Sequence, residues 1–249
     1  MSELIAHVPE GFILVDVLYN ELKTEKEDDS FYWTIGLSIK DTDLQYKTLS
    51  KCLVFPPNDE EEVRKFLRGL GRDGSTMVKL GNYLSTSTYF KKCILEYVSL
   101  LELLVYYVDI FSFPSFELMR CVGDMARVSE ELDIASSIQN TIDANDVFVA
   151  FNRTIADFLY EYRQVMIDWE ELLPYLPLKG PEKFTISSSG LVHGSSQVEL
   201  LYETRPDFFT KKYFSSTANK LSKFVPGEEK LSIMIVQVRW LLIYPLWRW

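Results

Sequence analysis

Residues 31–39 alternate strictly between apolar and polar positions. Phe31, Trp33, Ile35, Leu37 and Ile39 fall on one face, and Tyr32, Thr34, Gly36 and Ser38 on the other. A period of two, with aromatic and β-branched residues on the apolar side, predicts a half-buried strand. An apolar run at 12–19 precedes it across the charged stretch 23–30, and 44–55 follows. The economical expectation is an N-terminal three-stranded antiparallel meander over 1–57, ended by Pro56 and Pro57.

Beyond the prolines the spacing changes to the helical period. Asn58 offers an N-cap, and the acids Asp59, Glu60, Glu61 and Glu62 suit the positive end of a helix reaching about Leu67. The stretch 88–111 is apolar on nearly all sides, which predicts a central core helix; Glu96, Glu102 and Asp109 make a membrane span expensive. Pro114 ends it, Ser115 begins another helix to about Leu132, and 133–145 reads as a polar connection. The cleanest periodicity runs through Phe148, Phe151, Ile155, Phe158, Tyr162, Val165, Trp169 and Leu172, alternating steps of three and four. It predicts one long helix over 146–173, with Leu159, Met166 and Leu173 widening the stripe toward multi-helix packing rather than a two-stranded coil. Pro174 and Pro177 stop it. The Ser- and Gly-rich stretch 178–203 reads as a loop or small hairpin with β-prone pieces at 184–186, 191–193 and 198–202. A basic amphipathic helix is expected over 207–224, and after Pro226 and Gly227 the chain closes on the apolar segment 231–249.

The resulting expectation is an α+β protein, predominantly helical. An N-terminal meander (1–57) packs on a multi-helix body (58–173), followed by a C-terminal region (174–249); all three are compatible with one globular unit. Length supports this, because 249 residues with 47% hydrophobic content bury a substantial core. The net charge of −10 argues against nucleic acid as a partner. Cys52, Cys93 and Cys121, an odd number without metal spacing, read as thiols in a reducing compartment, and the N-terminus lacks a secretory pattern. The expected location is therefore cytoplasmic or nuclear, not secreted.

Charge is unevenly distributed. Residues 205–249 carry eight Lys or Arg against three Asp or Glu, a net of +5, which leaves −15 for residues 1–204. The same segment holds three of the five tryptophans. Basic amphipathic helices bind acidic surfaces, and Trp with Arg anchors interfaces. Phe208, Phe209, Lys211, Lys212, Lys220, Lys223, Trp240, Trp247 and Trp249 are the candidate partner-binding residues, with docking onto the acidic body of the chain itself as the competing reading.

Catalytic patterns are thin. Gly69-Leu70-Gly71-Arg72-Asp73-Gly74 matches G-x-G-x-x-G, but a helix precedes it and no βαβ unit is evident, so it reads as a helix stop. His7 and His193 lack ligand spacing. Ser187, Ser188, Ser189, His193, Ser195 and Ser196 share a loop without a nucleophile-elbow pattern, and the acid pairs Glu130-Glu131 and Glu170-Glu171 read as solvated. No catalytic, cofactor or metal residue is assigned.

The run Val147-Phe148-Val149-Ala150-Phe151, then Ile155, Leu159, Tyr162 and Arg163, resembles a helix in the N-terminal helical region of gamma-tubulin complex proteins. The sequence around it, including the loop after Pro174, departs from that family's pattern. The resemblance implies lateral assembly of microtubule-nucleating complexes without catalysis. The functional expectation is a non-catalytic interaction or scaffold protein whose partner is another protein, as a complex subunit. The alternative is a peripheral adaptor binding an anionic membrane surface through 207–224 and 231–249; a Ser/His enzyme ranks below both.

Overall fold

The computed structural model describes residues 8–25, 31–47, 50–91, 95–143, 153–189, 196–204, 220–228 and 230–236. In chain order they form β1 (Ile13–Glu25), β2 (Phe31–Ser38), β3 (Lys51–Phe55), α1 (Glu60–Gly69), β4 (Met77–Lys79), β5 (Tyr97–Ser99), α2 (Phe116–Val128), α3 (Leu132–Asp143), α4 (Ile155–Glu161), α5 (Trp169–Leu172), β6 (Glu182–Thr185), β7 (Gln197–Thr204) and β8 (Lys230–Val236). The chain divides into two compact units: one from 12–55, 181–204 and the described residues after 224, the other from 56–180 with the short pieces 8–11 and 220–223. The second is thus an insertion between β3 and β6. The chain passes from the first unit to the second at Pro56, and 174–249 is shared between both units.

The first unit is an antiparallel six-stranded sheet ordered β6-β3-β8-β1-β2-β7. Its two outer strands meet. Immediately after β6, Ile186 bridges Leu200 of β7, and the Ser187 amide donates to the Glu199 carbonyl at 2.8 Å, joining the two ends of the sheet into a barrel. β1 is long enough to serve two partners, β8 through Ile13–Asp16 and β2 from Val17 onward. Register shifts between Val17 and Tyr19 and between Leu22 and Thr24 supply the bend that closure needs. Inward residues fill the lumen: Val15, Val17, Ile35, Leu37, Cys52, Val54, Ile186, Val198, Leu200, Leu231 and Ile233 are all buried.

This corrects the meander. β1 and β2 pair as expected, but β3 lies between β6 and β8, away from β2. Only 51–55 of the expected strand 44–55 is paired; Asp41 turns at φ +63, and the Thr42 hydroxyl donates to the Ile39 carbonyl at 2.7 Å, so the chain leaves β2 in a turn. The stretch 178–203, expected as a loop or small hairpin, contributes β6 and β7, which are full members of the sheet.

The second unit is helical with a small β4–β5 hairpin. Asp59, rather than Asn58, caps α1 by accepting the amides of Glu61 and Glu62. The expected core helix over 88–111 is not formed among the described residues. Ser99 and Glu102 form a capping box that starts a new turn at Leu100, Tyr97–Ser99 pairs with β4, and Leu103–Tyr107 forms one wide π turn. The polar stretch expected to connect at 133–145 contains α3.

The long helix over 146–173 is likewise overturned where it is described; Phe148 and Phe151 lie outside the described residues. A capping box between Thr154 and Asp157 starts α4, Tyr162 leaves the helical region at φ −103 and ψ 34, and Asp168 caps α5. Even so, Ile155, Phe158, Tyr162, Val165, Trp169 and Leu172 are all buried. The stripe marked burial, while caps set the continuity. Met166, placed on the widened stripe, is 68% exposed. A closed antiparallel barrel plus a helical insertion replaces the predominantly helical bundle.

On the outer barrel face the Tyr19 ring lies over Gly36, where a Cβ would stand 2.2 Å from a ring carbon. Its hydroxyl donates to Glu199 Oε2 at 2.8 Å, tying β1 to β7 across β2. Gly36→Ala must expel that ring and break the tie, a loss of about 1–3 kcal/mol; an unchanged urea midpoint would contradict this packing. Inside the barrel, burial pushes the Cys52 thiol from 9.0 up to about 12. Because the folded value lies above the unfolded one, the associated stability is complete below pH 9 and lost as pH rises through about 12. Urea midpoints should fall across that window, and Cys52→Ala should make the decline shallower while lowering stability throughout.

Candidate functional site

A barrel lumen packed with its own side chains leaves the outer surface and rim for a ligand. On the outer face, Lys51 of β3 and Thr185 of β6 are register partners, and the lysine Nζ donates to Thr185 Oγ1 at 2.5 Å. Lys183, two residues earlier on the same face of β6, is exposed. The chain then runs through Ser187, Ser188 and Ser189. The Ser187 hydroxyl donates to the Glu199 carbonyl and lies 2.9 Å from its Oε1. Ser188 Oγ accepts the Glu199 amide at 2.9 Å and donates to the Tyr46 hydroxyl at 3.1 Å. Burial, reinforced by the Glu199 carboxylate, holds the Tyr19 phenol well above its ordinary range, so it donates at all physiological pH.

Aromatic rings gather where β2, β6 and β7 run together. Trp33 stacks on Tyr202 with ring centres 6.4 Å apart, and Phe184 meets Tyr202 edge-on at 6.5 Å. Tyr202 is buried while Trp33 and Phe184 are half-buried. Side-chain hydrogen bonds hold the group: Trp33 Nε1 donates to Thr204 Oγ1 at 3.1 Å, Tyr202 donates to Asn20 Oδ1 at 2.8 Å, and Asn20 donates to the Phe224 carbonyl at 3.2 Å.

In the helical unit, polar groups converge on Asn58. Its Nδ2 donates to the carbonyls of Leu104 and Val108 at 2.6 and 2.8 Å, the two carbonyls flanking the end of the π turn. Its Oδ1 accepts from Lys179 at 2.7 Å and from Lys220 at 2.9 Å. Both lysines are buried, and Lys220 also lies 5.2 Å from the Phe111 ring centre. Nearby, 79–89 and 170–180 enclose a cleft of about 790 Å³.

Of the candidate partner-binding residues, Phe208, Phe209, Lys211, Lys212, Trp240, Trp247 and Trp249 lie outside the described residues. Lys220 is buried on Asn58. Exposed Lys223 approaches Asp59 and Glu62 at 3.6 and 3.4 Å, acids of the same unit. Of the apolar segment 231–249, the part through Val236 belongs to β8, which runs between β3 and β1. His7 and His193 are outside the described residues, and no group of three or more His, Cys, Asp or Glu gathers among those described. At 69–74, Gly71 turns at φ +65, and the Asp73 carboxylate is held below its ordinary pKa range by the Ser75 hydroxyl and amide, so the glycines end α1. Glu130 sits in the α2–α3 turn at φ +62, and Glu170 Oε1 accepts the Lys79 amide at 3.1 Å.

The architecture is that of a closed antiparallel barrel interrupted by a helical insertion. The FAD binding domain family matches residues 13–202, more than half of the chain, and the chain belongs to that family. No curated protein matches the chain. The family match overturns the non-catalytic scaffold and, with it, the membrane-adaptor, microtubule-nucleation and Ser/His alternatives; it points to a redox, flavin-binding function. The sequence pattern called for no cofactor because flavin chemistry leaves no catalytic constellation in the chain.

The donor chemistry present suits FAD. A pyrophosphate requires cations and hydroxyl or amide donors, and Lys51, Lys183 and Thr185 share one outer face. A flat tricycle requires ring faces; Trp33 and Phe184 present half-buried ones, but on the lumen-side face of their strands, opposite Lys51, Lys183 and Thr185. Glu199 carries the opposing charge, but its oxygens are engaged by Tyr19 and Ser187.

The sequence reads Asn58 as a helix cap, but Asp59 takes that place and Asn58 instead bonds to Leu104, Val108, Lys179 and Lys220, far along the chain. Asn58→Ala removes four hydrogen bonds from a buried site and should cost about 3 kcal/mol or more. A thermal midpoint within a degree of the parent would refute its role.

Proposed function

We propose that the chain binds FAD through its barrel unit and serves as the flavin-carrying part of an oxidoreductase. The family match across 13–202 carries this reading, because it spans β1, β2 and β3, the whole insertion, β6 and most of β7. Bound FAD supplies reversible one- and two-electron chemistry that no side chain offers. The residues of the chain bind and orient it. Lys51 and Lys183 neutralise the pyrophosphate, and Thr185 adds a hydroxyl donor already fixed by Lys51.

The Tyr19–Glu199–Ser187 tie holds the serine run against β7, so the strand carrying Lys183 and Thr185 stays in register. Positioning by a rigid strand suits a cofactor whose reactive ring must be held in a fixed orientation.

Titration of the full chain with FAD, followed by flavin fluorescence and anisotropy, tests this. One equivalent should bind, with an affinity that falls as salt rises. The double variant Lys51→Ala, Lys183→Ala should bind about 10- to 100-fold more weakly and with a shallower salt dependence, as expected for loss of two charge-assisted contacts. A folded chain that leaves FAD unbound at millimolar concentration would refute the assignment.

A further inference from the structure

We propose that the cleft in the helical unit is a second ligand site, for a flat apolar ring compound carrying one anionic group, an aromatic carboxylate or sulfonate. The proposal goes beyond the flavin reading and concerns the other unit of the chain. At about 790 Å³ the cleft is within the range of small-molecule pockets.

Two polar ties between its walls pre-form it. Glu170 Oε1 accepts the Lys79 amide at 3.1 Å, and the Tyr83 hydroxyl donates to the Leu176 carbonyl at 3.0 Å. Burial keeps the Tyr83 phenol protonated far above its ordinary range, so that tie persists in neutral solution. Between the ties the lining is mainly apolar, with Leu80, Leu173, Leu176 and Leu178 and the rings of Tyr83 and Tyr89. Such a wall receives a planar hydrocarbon ring.

The charge of the lining selects the second feature. Lys79 and Lys179 line the cleft, and Glu170 is the one acid among the lining residues. That acid already holds an amide, and Lys179 is fixed by Asn58 at 2.7 Å; Lys79 approaches Glu96 at 3.9 Å and the Tyr97 ring at 5.8 Å, an open, solvent-exposed pairing with which a ligand anion competes. An anionic group on the ligand complements this balance, whereas a cation opposes it.

The probes are 1-anilinonaphthalene-8-sulfonate and its uncharged analogue N-phenyl-1-naphthylamine, titrated by fluorescence into the full chain. The sulfonate should bind one equivalent at least about threefold more tightly than the amine, the scale of a partly exposed charge contact. Lys79→Gln should remove that preference. Gly180 lines the cleft, and an added Cβ there meets nothing within 4 Å. Gly180→Leu should therefore weaken both probes about tenfold with an unchanged circular dichroism spectrum, and Thr88→Leu on the same lining replaces it if that variant misfolds. FAD should leave the probe in place, since the flavin is assigned to the barrel unit. Equal affinity for the two probes, unaltered binding in the filled variants, or displacement by FAD would each overturn the proposal. FAD binding in the absence of probe reports on the flavin reading separately.

Discussion

Closure of the barrel depends on one short contact. β6 has four residues, and the sheet would keep two open edges if Ile186 and Ser187 did not continue past it to meet Leu200 and Glu199. Backbone pairing at that point consumes the donors and acceptors that an edge strand leaves exposed. It also brings Glu199 beside Tyr19 and Ser187, and the side-chain tie reinforces the backbone seam. The lumen residues then pack from all sides, and the outer face carrying Lys51, Lys183 and Thr185 keeps a fixed register.

Closure also constrains the insertion. The chain leaves the barrel after Phe55 and returns at Glu182, and Val54 pairs directly with Glu182. The two ends of a long excursion must therefore emerge close together, the condition under which an inserted unit leaves its host fold intact. Within the insertion, order comes from capping side chains and from Asn58 rather than from long uninterrupted helices. Asn58 satisfies two carbonyls at the π turn and receives two buried ammonium groups, joining segments far apart in sequence through one amide.

How much of this was legible in the sequence follows from the range of each interaction. Alternation at 31–39 reports which way side chains point, β-prone composition at 198–202 marks extended chain, and both stretches lie in strands or at their ends. Pairing is another matter: β8 and β6 flank β3 from positions far along the chain, and nothing in a single sequence specifies that adjacency. The stripe from Ile155 to Leu172 correctly selected buried positions. It could not select one helix, because Thr154, Asp157 and Asp168 are local stop-and-start signals that outrank the period. Lys51 and Thr185 gave no signal at all, since a lysine and a threonine acquire shared chemistry only when strands place them side by side.

The functional misreading has a chemical cause. Nucleophiles, paired acids and metal ligands mark a chain that performs its own chemistry, and a flavin domain delegates that chemistry to its cofactor. The charge argument has a similar boundary. A net charge of −10 opposes a long polyanion because many phosphates must be neutralised together. A single pyrophosphate requires only a few donors within hydrogen-bonding reach, where direct contact outweighs a distant acidic surface that salt screens beyond about 8 Å. Local placement of lysine and hydroxyl groups therefore decides cofactor binding, and total charge does not.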